Sequence, residues 1–123
     1  MINTFIYTKP QVLGELFLEN TNNIFEYICH RPYHDKRGQL PDGVVVTLHI
    51  LEDHGNYGVD KASGKPRLTN RGQNFNATIL GVTELDFEQG DHVRLLDFDE
   101  ENSFAINFDI IMRFRGIEPA VEL

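Results

Sequence analysis

The sequence has a single cysteine, Cys29, and no tryptophan among its 123 residues. One thiol cannot form an intrachain disulfide, so the composition favours a reducing compartment. No apolar run approaches the roughly 20 residues that span a bilayer. The first ten residues, MINTFIYTKP, lack the basic start and the long apolar run of a signal peptide. These absences predict a cytoplasmic protein with no membrane partner.

Catalytic motifs are also missing. The segment GVDKASGK, residues 58–65, is not a P-loop, because five residues separate its two glycines and Pro66 follows its last lysine. No nucleophile motif such as GxSxG occurs, and neither Ser63 nor Ser103 has an evident activating base. The sequence therefore predicts that the protein is not an enzyme and has no catalytic residue, cofactor or small-molecule substrate.

The residues that could bind a metal do not form a recognisable site. Cys29, His30 and His34 are close in sequence, but zinc takes four ligands at characteristic spacings. The acidic run DFDEE, residues 97–101, has the residue types of a Mg²⁺-dependent nuclease, which is the third-ranked alternative. Because Asn102 and Ser103 follow it, the run is more typical of a solvated turn. We predict no metal site and a buried thiol at Cys29.

The formal net charge of −8 is unevenly distributed. Residues 1–30 carry one Lys and three Glu, residues 31–75 carry seven Lys or Arg and five acids, and residues 76–123 carry three Arg and eleven acids. The three parts therefore have net charges of −2, +2 and −8. This pattern predicts one cationic and one anionic face. The competing interpretation is a mixed surface in which the two parts pair with each other.

Strand patterns dominate from residue 43 onwards. Residues 43–51, GVVVTLHIL, are rich in β-branched residues and apolar on both faces, which predicts a central strand. Residues 74–80 and 92–98 are two further strands. Residues 104–114 form one long strand or two short ones, with Phe104, Ile106, Phe108 and Ile110 on one face. The residues expected in the core are Val44, Val46, Leu48, Ile50, Ile79, Val93 and Leu95.

The first 42 residues give weaker signals. FIYT (5–8) and LGELFLE (13–19) predict short strands, whereas NIFEYIC (23–29) fits a strand or a helical turn. Residues 31–42 hold two Pro and one Gly and predict a loop. We expect one domain over residues 1–123. Its parts are N-terminal strands and a loop (1–42), a barrel core (43–116) and a short tail (117–123).

Many short strands separated by turn signals predict an all-β protein with room for one short helix. The order of the strands is compatible with a small OB-like Greek-key barrel, a fold that binds oligonucleotides through its loops. Residues 53–73 would then form a long cationic hairpin loop. An SH3-like barrel or a β-sandwich is compatible with the same pattern.

The segment GNYGVDKASGKPRLTNRGQNF, residues 55–75, combines cations, glycines and aromatic rings. Single-strand binders use a cationic groove for phosphates and aromatic rings on which bases stack. The competing interpretation is a solvated hairpin tip, with Tyr57 capping the sheet and Phe75 packed in the core. The predicted nucleic-acid-binding residues are Tyr57, Lys61, Lys65, Arg67, Arg71 and Phe75, together with Tyr33, Lys36 and Arg37 upstream.

Residues 43–116 resemble the small OB-fold proteins of bacterial phages and mobile elements that bind single-stranded DNA. Four features carry this resemblance: GVVVTLHILED, the hairpin ending in KPRLTNRGQNF, the strand opening EQGDHVRLL, and the closing IMRFRGIE. The resemblance implies a role in replication or recombination, host-cell cytoplasm as the location, and self-association. This chain departs from the family pattern in having no long acidic tail and no tryptophan.

The sequence therefore predicts a non-catalytic protein that binds single-stranded nucleic acid, DNA in preference to RNA, and forms a homodimer or larger homo-oligomer. The alternative is an all-β protein–protein interaction module, or a phage structural or assembly protein, in which the same loop grips an acidic protein surface. A nucleic-acid binder should prefer single strands and lose affinity linearly in log salt, which distinguishes the two.

Overall fold

The computed structural model describes residues 3–7, 11–107 and 109–120. In these residues a 3₁₀ turn (Phe5–Tyr7) and one helix, α1 (Gly14–Asn20), precede six strands. The strands are β1 (Phe25–Tyr33), β2 (Gly43–Ile50), β3 (Asn74–Leu80), β4 (His92–Phe98), β5 (Phe104–Ile106) and β6 (Asp109–Pro119). The predicted all-β class with one short helix is confirmed. No helix within the described residues is long and apolar enough to cross a membrane.

Five of the strands close into a barrel. β4, β1, β2 and β3 lie side by side in that order, each antiparallel to its neighbour, which is the Greek-key arrangement. β6 completes the ring by pairing parallel with β3 and antiparallel with β4, and β5 extends β6 as a hairpin. The predicted OB-like Greek-key barrel is confirmed, and the closed ring excludes a two-sheet sandwich.

The core fills the interior of this ring. Alternate residues of β2 point inwards, and the alternation continues on β3, β4 and β6. All seven residues expected in the core are at most 1% exposed, so that prediction is confirmed. The interior is therefore occupied by side chains, and any ligand must bind on the outer surface.

The N-terminal segment is helical, so the prediction of short strands there is wrong. Gly14, Phe17 and Leu18 are buried at spacings of three and four residues, the periodicity of one helix face. Phe17 stacks on Phe25 of β1 with ring centroids 5.9 Å apart and meets Phe75 of β3 edge-on at 5.1 Å. α1 therefore covers the end of the barrel at which β1 and β3 begin. Thr8, the last residue of FIYT, lies outside the described residues.

A β-bulge in β1 changes which side chains face outwards. The register with β2 shifts between Tyr27 and Cys29, so that one extra residue is accommodated there. Without the bulge, the alternation that buries Phe25 and Tyr27 would also bury Cys29. With it, Cys29 lies opposite Thr47 on the outer face and is exposed. The prediction of a buried thiol is wrong for this reason.

Two predicted boundaries also change. β1 continues to Tyr33, and Pro32 fits because at this end β1 pairs with β2 alone and its other side needs no backbone donor. β6 runs to Pro119, through the start of the predicted tail, and the run 104–114 is divided between β5 and β6. Phe108 and residues 121–123 lie outside the described part of the chain.

Candidate nucleic-acid interface

The loop that connects β2 to β3, residues 51–73, is built on a buried polar cluster. The Tyr57 hydroxyl lies 2.5 Å from the Tyr7 hydroxyl and donates to Asp53 Oδ2 at 2.7 Å. The Asn70 backbone N–H donates to the same carboxylate oxygen at 2.8 Å, and the Asn70 side-chain N–H donates to the Asn3 carbonyl at 3.2 Å. The cluster therefore ties the loop to the N-terminal segment.

Tyr57 is a structural residue of this cluster. Its side chain is 3% exposed, and burial, with the hydrogen bonds to Tyr7 and Asp53, raises its pKa far above the usual value. The hydroxyl therefore stays protonated and keeps donating to Asp53. A ring enclosed in this way cannot stack on a base, so the prediction of Tyr57 as a stacking residue is wrong.

Phe75 is also a core residue. It points into the barrel, is 7% exposed, and packs edge-on against Phe25 with ring centroids 5.0 Å apart. Its neighbours Asn74 and Asn76 take the outward positions on β3. The prediction of Phe75 as a stacking residue is therefore wrong, and the competing expectation of core packing is confirmed.

The outer part of the loop forms a small hairpin, closed by a bridge between Val59 and Pro66. The Asp60 N–H donates to the Lys65 carbonyl at 2.9 Å, and the Arg67 N–H donates to the Gly58 carbonyl at 2.9 Å. All four predicted cations of the loop are exposed on this hairpin or just after it: Lys61, Lys65, Arg67 and Arg71. Their contact with phosphate stays a prediction.

A groove of about 410 Å³ crosses the outer face of β2 and β3. One row of directly paired residues runs across it: Arg31 on β1, Val45 on β2, Thr78 on β3 and Arg113 on β6. The bulge in β1 gives Arg31 and Tyr33 their outward direction. We call this site the β2–β3 groove. It is lined by Arg31, Tyr33, Val45, Asn74, Asn76, Thr78, Phe104, Asp109, Ile111 and Arg113, and by the core residues Phe75, Ile110 and Met112.

Arg113 organises one wall of the β2–β3 groove. Its guanidinium carbon lies 5.5 Å from the ring centroid of Tyr33 and 5.4 Å from that of Phe104. It donates to the Tyr33 hydroxyl at 3.1 Å and to the Asn102 carbonyl at 2.7 Å. These contacts hold two aromatic rings against one cation. The Phe104 ring is 44% exposed, so it offers the stacking surface that Tyr57 and Phe75 do not.

The β3 side of the groove is lined with side-chain amides. The Thr47 hydroxyl donates to Asn76 Oδ1 at 2.9 Å, and His49 Nδ1 lies 2.7 Å from Asn74 Oδ1. Because both amide oxygens are engaged, both amide N–H₂ groups remain as donors for a ligand. Positions two apart on a strand are roughly 6.6 Å apart, so the two donors form a short row.

The connection between β1 and β2, residues 34–42, places two predicted cations beside the groove. Asp35 accepts backbone N–H bonds from Leu40, Gln39 and Arg37 at 3.0, 2.9 and 3.4 Å, and these bonds hold its pKa below the usual range. They fold the connection into a compact turn immediately after Tyr33. Lys36 and Arg37 are exposed on this turn. Of the three residues predicted here, Tyr33 lines the groove, whereas Lys36 and Arg37 are on the turn that follows it and are not among the lining residues.

The sequence analysis did not assign four of the groove residues to the site: Arg31, Asn76, Phe104 and Arg113. Arg31 was hidden by the bulge, and Phe104 by the assumption that it shared a buried face with Ile110. For Arg113 a signal was present, because it alternates with Met112 and Phe114, which are both buried. An arginine between two core positions on a strand must point outwards.

The acidic run after β4 is engaged in structural contacts. Asp99 Oδ2 accepts hydrogen bonds from Arg115 Nη2 at 2.7 Å and from Asn102 Nδ2 at 2.8 Å. Within the part of the chain that the structure describes, no group of three His, Cys, Asp or Glu side chains is placed to hold a metal ion.

Comparison of the chain with protein-family models, with curated proteins and with solved structures finds no match.

Proposed function

We propose that this protein binds single-stranded nucleic acid in the β2–β3 groove, without catalysis. The observation that carries the proposal is the position and content of the groove. In OB-folds the face of the second and third strands and the loops beside it are where oligonucleotides bind. Here a row of amide donors on β3 lies in one groove with an exposed ring on β5 and arginines on β1 and β6, a combination suited to bases and phosphates.

The role that we propose for each side chain in binding follows from its chemistry. The exposed Phe104 ring stacks on a base, with the Tyr33 ring fixed across Arg113 as its neighbour. Arg31, Lys36 and Arg37 neutralise phosphates, because they are charged at neutral pH and exposed to solvent. The amides of Asn74 and Asn76 donate to base or phosphate oxygens. A preference for DNA over RNA follows from the resemblance to phage and mobile-element proteins.

A titration of labelled oligonucleotides followed by fluorescence anisotropy tests this function. Equal lengths of single-stranded DNA, single-stranded RNA and duplex DNA are compared over a range of salt concentrations. We expect the tightest binding for single-stranded DNA and a linear fall of log affinity with log salt. Equal binding of duplex and single strands, or no binding at low salt, would contradict the proposal.

A second candidate function, an all-β interaction module, is favoured by the charge. The whole chain carries a net charge of −8, and Asp109 is among the residues that line the groove. Both repel a polyanion and lower its rate of encounter with the protein. The same titration distinguishes the two functions, since an interaction module shows no preference for single strands.

A further inference from the structure

The exposed apolar side chains of the described residues fall into two places. Phe5, Val59 and Leu68 lie on or against the hairpin of the β2–β3 connection, where the Arg67 guanidinium carbon is 5.4 Å from the Phe5 ring centroid. Phe104 and Ile106 lie on β5. Leu68 is 80% exposed, and an apolar side chain that exposed lowers the free energy if a partner covers it.

The two places carry opposite charges. Residues 58–71 hold four cations and one acid, net +3. Residues 97–109 hold five acids and no cation, net −5; Arg115 pairs with one of these acids, Asp99, and Arg113 lies against the Phe104 ring. We call the first the cationic patch (Phe5, Val59 and Leu68 with Lys61, Lys65, Arg67 and Arg71). We call the second the acidic patch (Phe104 and Ile106 with Glu100, Glu101 and Asp109).

Neither patch is neutralised by the other within one chain. Among the described residues, the ion pairs join other partners: His34 with Asp42, His54 with Glu52, Arg94 with Glu118, and Arg115 with Asp99. Both patches are therefore available to a partner. An anionic surface such as a lipid headgroup layer would account for the cationic patch alone. A second copy of this chain accounts for both.

We propose that copies of this chain associate head to tail, with the cationic patch of one copy seated on the acidic patch of the next. The apolar side chains meet at the centre of the contact, and the opposite charges surround them. Since the two patches differ, the contact is heterologous and leaves one free patch at each end. The association therefore continues beyond a dimer, into an open row or a closed ring. This inference does not depend on nucleic-acid binding.

Sedimentation velocity of the full chain, at increasing protein concentration and without nucleic acid, tests the proposal. At about 50 mM salt we expect the mean sedimentation coefficient to rise steadily with concentration, without a plateau at the dimer. At about 500 mM salt the association should weaken at least tenfold, because screening shortens the reach of the charges. The variants leave Phe104 unchanged, since it also lines the β2–β3 groove.

Charge-reversal variants identify the two surfaces. Lys61→Glu with Lys65→Glu, and separately Glu100→Lys with Glu101→Lys, should each abolish association of the variant alone. Mixed together, the two variants should associate again, because the acidic patch of the first variant and the cationic patch of the second are both unchanged and complement each other. The matched control, Lys36→Glu with Arg37→Glu, changes the net charge as much as the first variant and should associate like the parent protein.

Four results would overturn the proposal. They are a parent protein that stays monomeric at low salt, a plateau at the dimer, association insensitive to salt, and a mixture of the two variants that fails to associate. Circular dichroism of each variant confirms the fold. A variant that misfolds is replaced by the corresponding alanine pair, which should weaken association in the same direction.

Discussion

The cations at the β2–β3 groove should control how nucleic-acid binding depends on salt. Arg31, Lys36 and Arg37 are exposed, and no side-chain hydrogen bond or ion pair of theirs is found in the described part of the chain. Each phosphate contact on a single strand adds about −0.7 to the slope of log affinity against log salt, so changing all three to Ala should flatten the slope by about two units. Between about 50 and 200 mM salt, the parent protein should then lose roughly 20-fold more affinity than the variant.

The matched control removes three cations from the loop: Lys65→Ala, Arg67→Ala and Arg71→Ala. Arg31 lines the groove, and Lys36 and Arg37 are on the turn directly after the lining residue Tyr33, whereas the three loop cations belong to the β2–β3 connection and do not line the groove. We therefore expect this variant to keep the parent slope on an oligonucleotide short enough for one copy. Both variants should stay folded, since surface substitutions usually change stability by less than about 0.5 kcal/mol. Fluorescence anisotropy over a salt series gives both slopes. If the loop variant flattens the slope and the groove variant does not, the groove assignment is refuted and the loop is the phosphate grip.

Three further predictions concern single residues. Phe104→Ala should weaken binding of a short oligonucleotide by about 1–3 kcal/mol at every salt concentration and leave the slope of log affinity against log salt unchanged. The control, Ile106→Ala, changes a residue of the same strand that does not line the groove and should have no such effect. Tyr57→Phe should lower the free energy of unfolding in urea by about 1–3 kcal/mol, because it removes a buried hydroxyl that donates to Asp53; an unchanged midpoint would contradict this. Burial alone would raise the pKa of Asp99, but hydrogen bonds from Asn102 and Arg115 outweigh it and the pKa is lowered. Asp99 therefore stabilises the fold above about pH 4 and loses this effect at lower pH, so the stability advantage over Asp99→Asn in urea unfolding should shrink from pH 7 to pH 3.

The sequence predicted the parts of the fold that depend on simple alternation. β2, β3 and β4 were placed within one residue of their ends, because their apolar residues repeat every second position. α1 was missed because a seven-residue helix offers too few turns for its period to stand out from a strand. The overall OB-like order followed from the strands and the turns between them.

The candidate site was predicted less well, and the β-bulge explains much of the difference. A shift of one residue in β1 moves every later side chain of that strand to the other face. No residue type in NIFEYIC indicates the bulge that causes this shift. The aromatic residues Tyr57 and Phe75 were assigned by their position near cations, whereas burial decides their role. Tyr33, Lys36 and Arg37 were assigned to the site on the same ground; Tyr33 lines the groove, and Lys36 and Arg37 are exposed on the turn after it.

The barrel closes through two thin seams: two residue pairs join β1 to β4, and three join β3 to β6. The β2–β3 groove lies across the second seam, where Thr78 faces Arg113. A bound single-stranded nucleic acid that contacts Asn76 on one side and Arg113 on the other would hold this junction closed. Binding and closure are then coupled reciprocally: the ligand protects the amides of β3 and β6 from hydrogen exchange, and any change that lets the seam open lowers affinity from a distance.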